Sequence, residues 1–400
     1  MNDKNIIFKI RNKCAVCESP LKSPLIDLPH FPLTELYTKV RPRKLSGYVD
    51  QKFYLCQECG HGQLGHIIAP QFLYTATEYF FRTSQSKSAS TANDVFLQFI
   101  LDTFKSISFE TIIEIGCSDL YLLQALKKCA KKLIGIDPIL KGHEKELSDS
   151  KIKVIGDFFE NIDIRKEIFP GKSVVISSHT LEHVENPKQM LLQLLANLGS
   201  DTLYIFQFPG FETLISDGRY DQIFHQHLQY FSLDSFTYLL HLVGAEVINY
   251  KINYRHWGSL MIAFGKAKRK TKLQHRSVQQ LTRQITVDYD QFKKQMKLFK
   301  KYISEIRKEP LYGFGAALML PILGYYLDSD LSEFNAILDD DTQKSGLHYI
   351  NLRTQIKNPQ QILNLKQANV VVTALNTGRS ILPRVLSLQP KRIIFPIQVL

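Results

Sequence analysis

The sequence predicts an α/β protein in three parts: a small cysteine-bearing module followed by two sheets of nucleotide-binding type. Three observations carry this. Two Cys-x-x-Cys pairs, Cys14/Cys17 and Cys56/Cys59, stand near the N-terminus with 38 residues between them. An apolar run, Ile112-Ile113-Glu114-Ile115-Gly116, ends in a glycine and a polar turn, and a second run, Lys132 to Asp137, ends in an acid about twenty residues on. The strand, glycine and helix pattern recurs at Pro310-Leu-Tyr312-Gly-Phe-Gly315.

A chain of 400 residues is long for one core, so two or three domains are expected. Its 44% hydrophobic and 22% charged content describes a globular protein. No apolar run reaches the roughly 18 residues of a membrane span. The opening Met-Asn-Asp-Lys-Asn has no apolar export segment, so a cytoplasmic location and no membrane partner are the expectations. Net charge is +12, and Lys251 to Lys308 alone holds sixteen Lys and Arg against Asp288, Asp290 and Glu305. Such a segment can attract nucleic acid, an anionic membrane or a phosphorylated small substrate, or be a solvated helix face.

Taken in order, the cysteines come first. Four thiolates on two tight turns are what tetrahedral Zn2+ requires, and with no ligand position left open the site reads as structural. The ion would substitute for a core that about 70 residues are too few to build. His61 and His66 lie nearby but are not needed as ligands. Cys117 sits in the first polar turn, and Cys129 reads as a small buried residue. An aromatic, hydroxyl-rich connector follows (Pro70 to Tyr74, Glu78 to Ser86), then a helix from Thr91 to Phe104.

The central sheet begins with the strand at Ile112. Its helix is read from Tyr121 to Ala130 with Asp119 as N-cap. Gly116 lets a ligand approach the backbone, and Asp137 can bond a ribose diol. Only one glycine of a dinucleotide fingerprint is present. An acid ending the first strand is instead typical of S-adenosylmethionine (SAM) sites, with Glu114 near the methionine ammonium. Asp157 and Phe158 close the third strand, where an adenine ring can stack. Ser173 to Ser178 is a fourth strand, followed by His179-Thr-Leu-Glu-His183, and Thr202 to Phe208 is a fifth. Ligand-type residues at successive strand ends match the crevice of an open α/β sheet.

Asp221 to Ser232 places His225 and His227 around Gln226 in an aromatic stretch. A helix then runs to near Gly244, and Val247 to Ile252 with Gly258 to Phe264 form a closing hairpin. Apolar residues from Val278 to Ile306 recur at three and four, which predicts one amphipathic helix of about thirty residues, some 45 Å long. Its aromatics lie on the apolar stripe and not among the basic residues, which argues against a nucleic-acid stacking platform. The last ninety residues supply strands at Pro310, Phe334 to Leu338, Asn369 to Leu375 and Lys391 to Pro396.

With these pieces in sequence, the chain resembles the three-domain C-methyltransferases of deoxysugar biosynthesis, which act on nucleotide-linked 4-keto sugars. The resemblance rests on the Cys pairs, Glu114-Ile-Gly116, Gly135-Ile-Asp137, His183-Val184, Phe224-His225-Gln226-His227 with Tyr230-Phe231-Ser232, His256-Trp-Gly-Ser259-Leu, Tyr312-Gly-Phe-Gly315 and Asn376. It implies a zinc-binding domain at 1–75, a class I (Rossmann-like) methyltransferase domain at 76–275, and a linker helix with a C-terminal Rossmann-like nucleotide-sugar-binding domain at 276–400. It implies a SAM site of Glu114, Gly116, Asp119, Asp137, Asp157, Phe158 and His179. Catalysis is expected from His227 as proton-transfer residue, Tyr79 supporting the oxyanion, and His225. Substrate is expected at His183, Gln226, Tyr230, His256, Ser259, Tyr312 and Asn376. The partner is the nucleotide sugar, with no nucleic acid, in a monomer or homodimer.

Three departures qualify this. The family's Tyr-His-Glu-His is Phe224-His-Gln226-His here, so its carboxylate is missing. Leu120 stands where the family has a second glycine, at a position that, as a helix entry, needs no positive φ. The C-terminal loop lacks the family's Lys, and Met261 stands where an Arg often follows. The alternatives are therefore a sugar O-methyltransferase and a degenerate member acting as a binding protein.

Overall fold

The computed structural model describes residues 6–69, 87–104, 108–268 and 277–397. Its centre is a seven-stranded sheet in the order 245–253, 259–266, 203–208, 173–178, 109–115, 130–136, 152–155. The last five run parallel, with Ile113 opposite Val175 and Glu114 opposite Gly135. The strand Ser259–Lys266 enters antiparallel to Leu203–Phe208 and turns back as a hairpin with Ala245–Asn253. The five parallel strands are nearly all buried, as expected of a sheet covered on both faces.

The helix after the first strand is shorter than its pattern suggests. It spans Tyr121–Ala125, because Ala130 already pairs with Phe109 and the chain must extend by then. Its N-cap is Leu120, not Asp119, and Leu120 has φ 64°. The expectation that this position needs no positive φ is therefore wrong: a leucine occupies the left-handed region where the related family has glycine. That costs about 1–2 kcal/mol, against which the Leu120 side chain is buried in one cluster with Leu123, Leu126 and Leu133. The preceding helix begins at Lys87, four residues before the expected Thr91.

The cysteine module is not self-sufficient. Its four-stranded sheet runs Gln229–Tyr230, Gly62–Leu64, Tyr48–Leu55, Ile26–Pro32, so one strand comes from the central domain. Tyr37–Thr38 pairs in turn with His348–Tyr349 of the C-terminal domain. The C-terminal sheet is parallel, ordered 356–357, 336–338, 311–314, 369–372, 392–394. The long helix is Val278–Ile306, and its stripe of Ile285, Phe292, Met296, Phe299 and Ile303 is buried. This stripe joins one apolar cluster with Phe31 and Phe53 of the first module, Tyr220 of the second and Leu323 of the third. A stripe so covered packs in a globular groove and does not form a coiled-coil seam.

Because the module's core continues into both other domains, losing its metal should weaken the whole chain. Replacing Cys56 by Ser is expected to abolish zinc binding and lower the melting temperature by at least about 5 °C. Elemental analysis with calorimetry measures both, and an unchanged melting point would mean that the module folds independently of its metal.

Candidate active site between the three modules

The cysteine knuckles bring four sulfurs together. Cys14 Sγ lies 3.6 Å from Cys59 Sγ and Cys17 Sγ 3.5 Å from Cys56 Sγ, and all four fall within 4.8 Å of one another. Tetrahedral Zn–S bonds of about 2.3 Å set sulfurs about 3.8 Å apart, so the set fits zinc with little movement. Turns close each knuckle, Glu18 N donating to Cys14 O and Gly60 N to Cys56 O. His61 faces the other way, its Nε2 2.9 Å from Gln229 Oε1. The ligand set is therefore the four cysteines alone.

A cavity of about 1080 Å³ opens where the three modules meet. One end is formed by the carboxyl ends of the central parallel strands. Gly116 there has φ 76°, and a Cβ would collide with Thr180 Oγ1, so the backbone alone fits this turn. Asp137 holds the turn from below, accepting from Ser118 N at 2.8 Å and Ile139 N at 3.1 Å. Glu114 is 3% exposed, and its Oε2 has no partner among the described residues. Burial pushes its carboxyl well up, with Asp137 and Asp119 adding to the shift. An acid in that position lacks a cation, and the ammonium of SAM is one. Asp157 accepts from Asn161 Nδ2 and from Phe158 N, which holds it below the usual range, and Phe158 lines the wall beside it.

The middle of the cavity carries imidazoles and carboxylates. His179, at φ 53°, lies 3.1 Å from Glu182 Oε1 and 3.2 Å from Ser259 Oγ. His183 Nδ1 is 2.8 Å from Gln226 O, and its ring stands 5.0 Å from that of His227. Burial drives His227 well below the ordinary imidazole value, and His183 and His179 add to that. Gln226 Nε2 donates to Glu35 Oε2 of the cysteine module at 3.3 Å. The far end is built by Phe314 to Met319, Asp339, Lys344 and Thr373 to Asn376 of the C-terminal domain.

The comparisons agree with this geometry. Residues 14–74 match the family described as "Putative zinc binding domain", and residues 87–250 the family described as "Methyltransferase domain". Residues 87–250 are a methyltransferase domain. The chain is 22% identical over 211 residues to the C-methyltransferase NovU of Streptomyces niveus, a match spanning 52% of this chain and 49% of that protein. It thus spans about half the length of that curated relative. Among solved structures it is similar to the N-methyltransferase NodS from Bradyrhizobium japonicum WM9 with S-adenosyl-L-homocysteine (12% identity, 49% of this chain, 95% of that chain, TM-score 0.36). It is also similar to a SAM-dependent methyltransferase from Clostridium acetobutylicum (10% identity, 43% and 91%, TM-score 0.35). Scores this low carry no weight beside the strand order. The pairing of a zinc-binding with a methyltransferase domain, with the relative in Streptomyces niveus, supports a zinc-binding sugar C-methyltransferase family, and the four-cysteine cluster is its structural zinc site.

The methyltransferase domain brings Glu114, Gly116, Asp119, Asp137, Asp157, Phe158 and His179 to the cavity, with His183, Gln226, His227, His256 and, from the C-terminal domain, Asn376. His225 is not among the lining residues. Its Nε2 lies 3.3 Å from Phe31 O and its Nδ1 3.0 Å from Gln51 Nε2, so both nitrogens are used in holding the cysteine module. The expected catalytic role of His225 therefore has no access to substrate. Tyr230 is likewise internal, bonded to Phe224 N and Gln222 O. Ser259 is not a lining residue and reaches the site through His179 and His256, and Tyr312 lies outside the lining. Tyr79 and its connector fall outside the described residues. Two residues escape sequence reasoning: Glu182, hidden in the His-Thr-Leu-Glu-His string, and Glu35, which no local pattern marks.

Two outcomes follow for the folded protein. Gly116→Ala should abolish the rise in melting temperature that S-adenosylhomocysteine (SAH) gives the parent, as read by differential scanning fluorimetry. The parent's rise surviving in the variant would show that this turn does not hold the cofactor. Burial holds His225 at about 4 in the fold, against about 6.5 unfolded. The unfolded chain thus binds the proton first, and stability present above pH ~6.5 is lost as pH falls toward about 4. His225→Gln should shrink the loss between about pH 7.5 and 5 by about 2 kcal/mol, measured by denaturant titration at each pH.

Proposed function

We propose that the chain is a SAM-dependent methyltransferase acting on a nucleotide-linked keto sugar, with carbon as the methyl acceptor. The observation that carries this is a continuous cavity, with the buried Glu114 carboxylate, its Oε2 without a partner among the described residues, at one end and the strand ends of the C-terminal sheet at the other. Cofactor and nucleotide would enter from opposite ends and meet over Gln226 and His227. The name of the relative in Streptomyces niveus supports carbon rather than oxygen.

SAM supplies an electrophilic methyl group when bound; the chain's residues do the rest. Glu114 would orient the methionine ammonium, Asp137 the ribose hydroxyls, and Phe158 the adenine face. A sugar carbon is nucleophilic only after a proton leaves beside a carbonyl. Transfer would break the S–CH3 bond and form the C–CH3 bond, giving SAH and the methylated sugar, with the proton taken up by a residue of the chain. His227, held neutral far below its ordinary range, is a weak proton acceptor. Glu35 suits the task better, since burial raises its carboxyl and the Gln226 amide fixes its orientation. We therefore assign the proton to Glu35, with His227 and His183 on the cavity wall beside the acceptor. The carboxylate absent at position 226 would thus come from the cysteine module.

The test is turnover of a thymidine-diphosphate 4-keto-6-deoxy sugar with SAM, followed by mass spectrometry. Glu35→Gln is expected to cut turnover by about 10²–10⁴-fold while SAH binding stays within about twofold of the parent. Full turnover in that variant would remove Glu35 from the chemistry. Failure of the parent to bind any thymidine or uridine diphosphate sugar would remove the substrate class.

A further inference from the structure

Glu182, His183 and His227 form a group that the methyl transfer just described leaves underused. Each offers one ligand atom, and these atoms lie within 4.8 Å of one another on the cavity wall. His183 Nδ1 sits 2.8 Å from the Gln226 carbonyl. A carbonyl only accepts, so Nδ1 carries a hydrogen, and in the neutral ring the lone pair is on Nε2. That nitrogen faces Glu182 Oε1 at 4.0 Å. Fixing one ring nitrogen against a carbonyl so that the other presents its lone pair is how metal-ligating histidines are held. Glu182 is 1% exposed, and its Oε2 has no hydrogen-bond partner among the described residues. The His227 ring is packed 4.2 Å from that of Phe224 on the same wall.

We propose that Glu182, His183 and His227 bind a divalent transition-metal ion, distinct from the zinc of the four cysteines, beside the acceptor position. Two imidazoles and one carboxylate suit Mn2+, Fe2+, Co2+ or Zn2+, whereas Mg2+ and Ca2+ prefer all-oxygen sets. Bonds of about 2.1 Å would draw the ligand atoms to roughly 3 Å apart, a side-chain movement of about 1 Å from the present positions. Three protein ligands on one side leave the remaining positions open to the cavity, where a carbonyl and a neighbouring hydroxyl of a sugar could both reach the ion. The ion's role in polarising that carbonyl rests on the methyltransferase reading; its binding does not.

The experiment uses the full-length, zinc-loaded chain titrated with Mn2+, free Mn2+ being counted by electron paramagnetic resonance, and in parallel with Co2+ by its visible absorption. Mn2+ competes poorly for thiolates, so it does not report on the cysteine site. One Mn2+ or Co2+ per chain is expected in addition to zinc, with affinity reduced at least about tenfold in Glu182→Gln and in His227→Asn. Each variant is accepted only if it keeps one zinc and the parent's SAH affinity, which excludes misfolding. No ion beyond zinc in the parent, or binding unchanged in both variants, would overturn the site. Ion binding without SAH binding would leave the site standing and sink the methyltransferase reading, so the two fail separately.

Discussion

The segment from Arg219 to Ser232 has little room to move, because several of the polar groups it buries are bonded to other modules. Arg219 is 3% exposed and makes a two-pronged pair with Asp221 at 2.8 and 2.7 Å, while its Nη2 also donates to Asn376 of the C-terminal domain. Tyr220 OH donates to Ile285 O on the long helix. His225 ties to Gln51 and Phe31, Gln226 to Glu35, and Gln229 to His61 and to the carbonyls of Val184 and Glu185. Burying any of these groups without its partner costs about 1–3 kcal/mol. Three modules are thereby fixed around one cavity by a single stretch of chain.

That constraint explains why a zinc module belongs in the architecture at all. The four-cysteine site sets two turns, the turns set a sheet, and the sheet carries the stretch Leu33 to Thr38 across to the C-terminal domain. Asn351 Nδ2 donates to Leu33 O at 2.7 Å and Ile350 N to Leu36 O at 3.0 Å, clamping that stretch at both ends. Between the clamps Glu35, at φ 57°, turns into the cavity. The cysteine module thus fixes where one carboxylate of the cavity stands.

Much of this is legible in the sequence, and the reasons divide cleanly. The strands at Ile112, Lys132, Ser173 and Thr202 announce themselves by apolar runs ending in ligand-type residues, and the Cys pairs by spacing. The long helix is legible end to end because its period holds from Val278 to Ile306. Local pattern fails where tertiary demands prevail. Sheet pairing at Ala130 cuts the helix after Tyr121 short, and core packing pulls Leu120 into a left-handed turn. His225 resembles its neighbour His227 in sequence but is bonded into the cysteine module while His227 lines the cavity, a distinction that composition cannot make. Glu35 is separated from Gln226 by 191 positions, and only the folded chain brings them together.

The central claim is that a buried acid with one unsatisfied oxygen at the end of the first central strand and a glycine turn beside it hold SAM. Calorimetric titration of the zinc-loaded parent with SAH tests it without any guess about the acceptor. One site per chain with micromolar affinity, weakened about tenfold or more by Glu114→Gln, is the result this account predicts. A folded, zinc-loaded protein that gives no heat with SAH at millimolar concentration would contradict it.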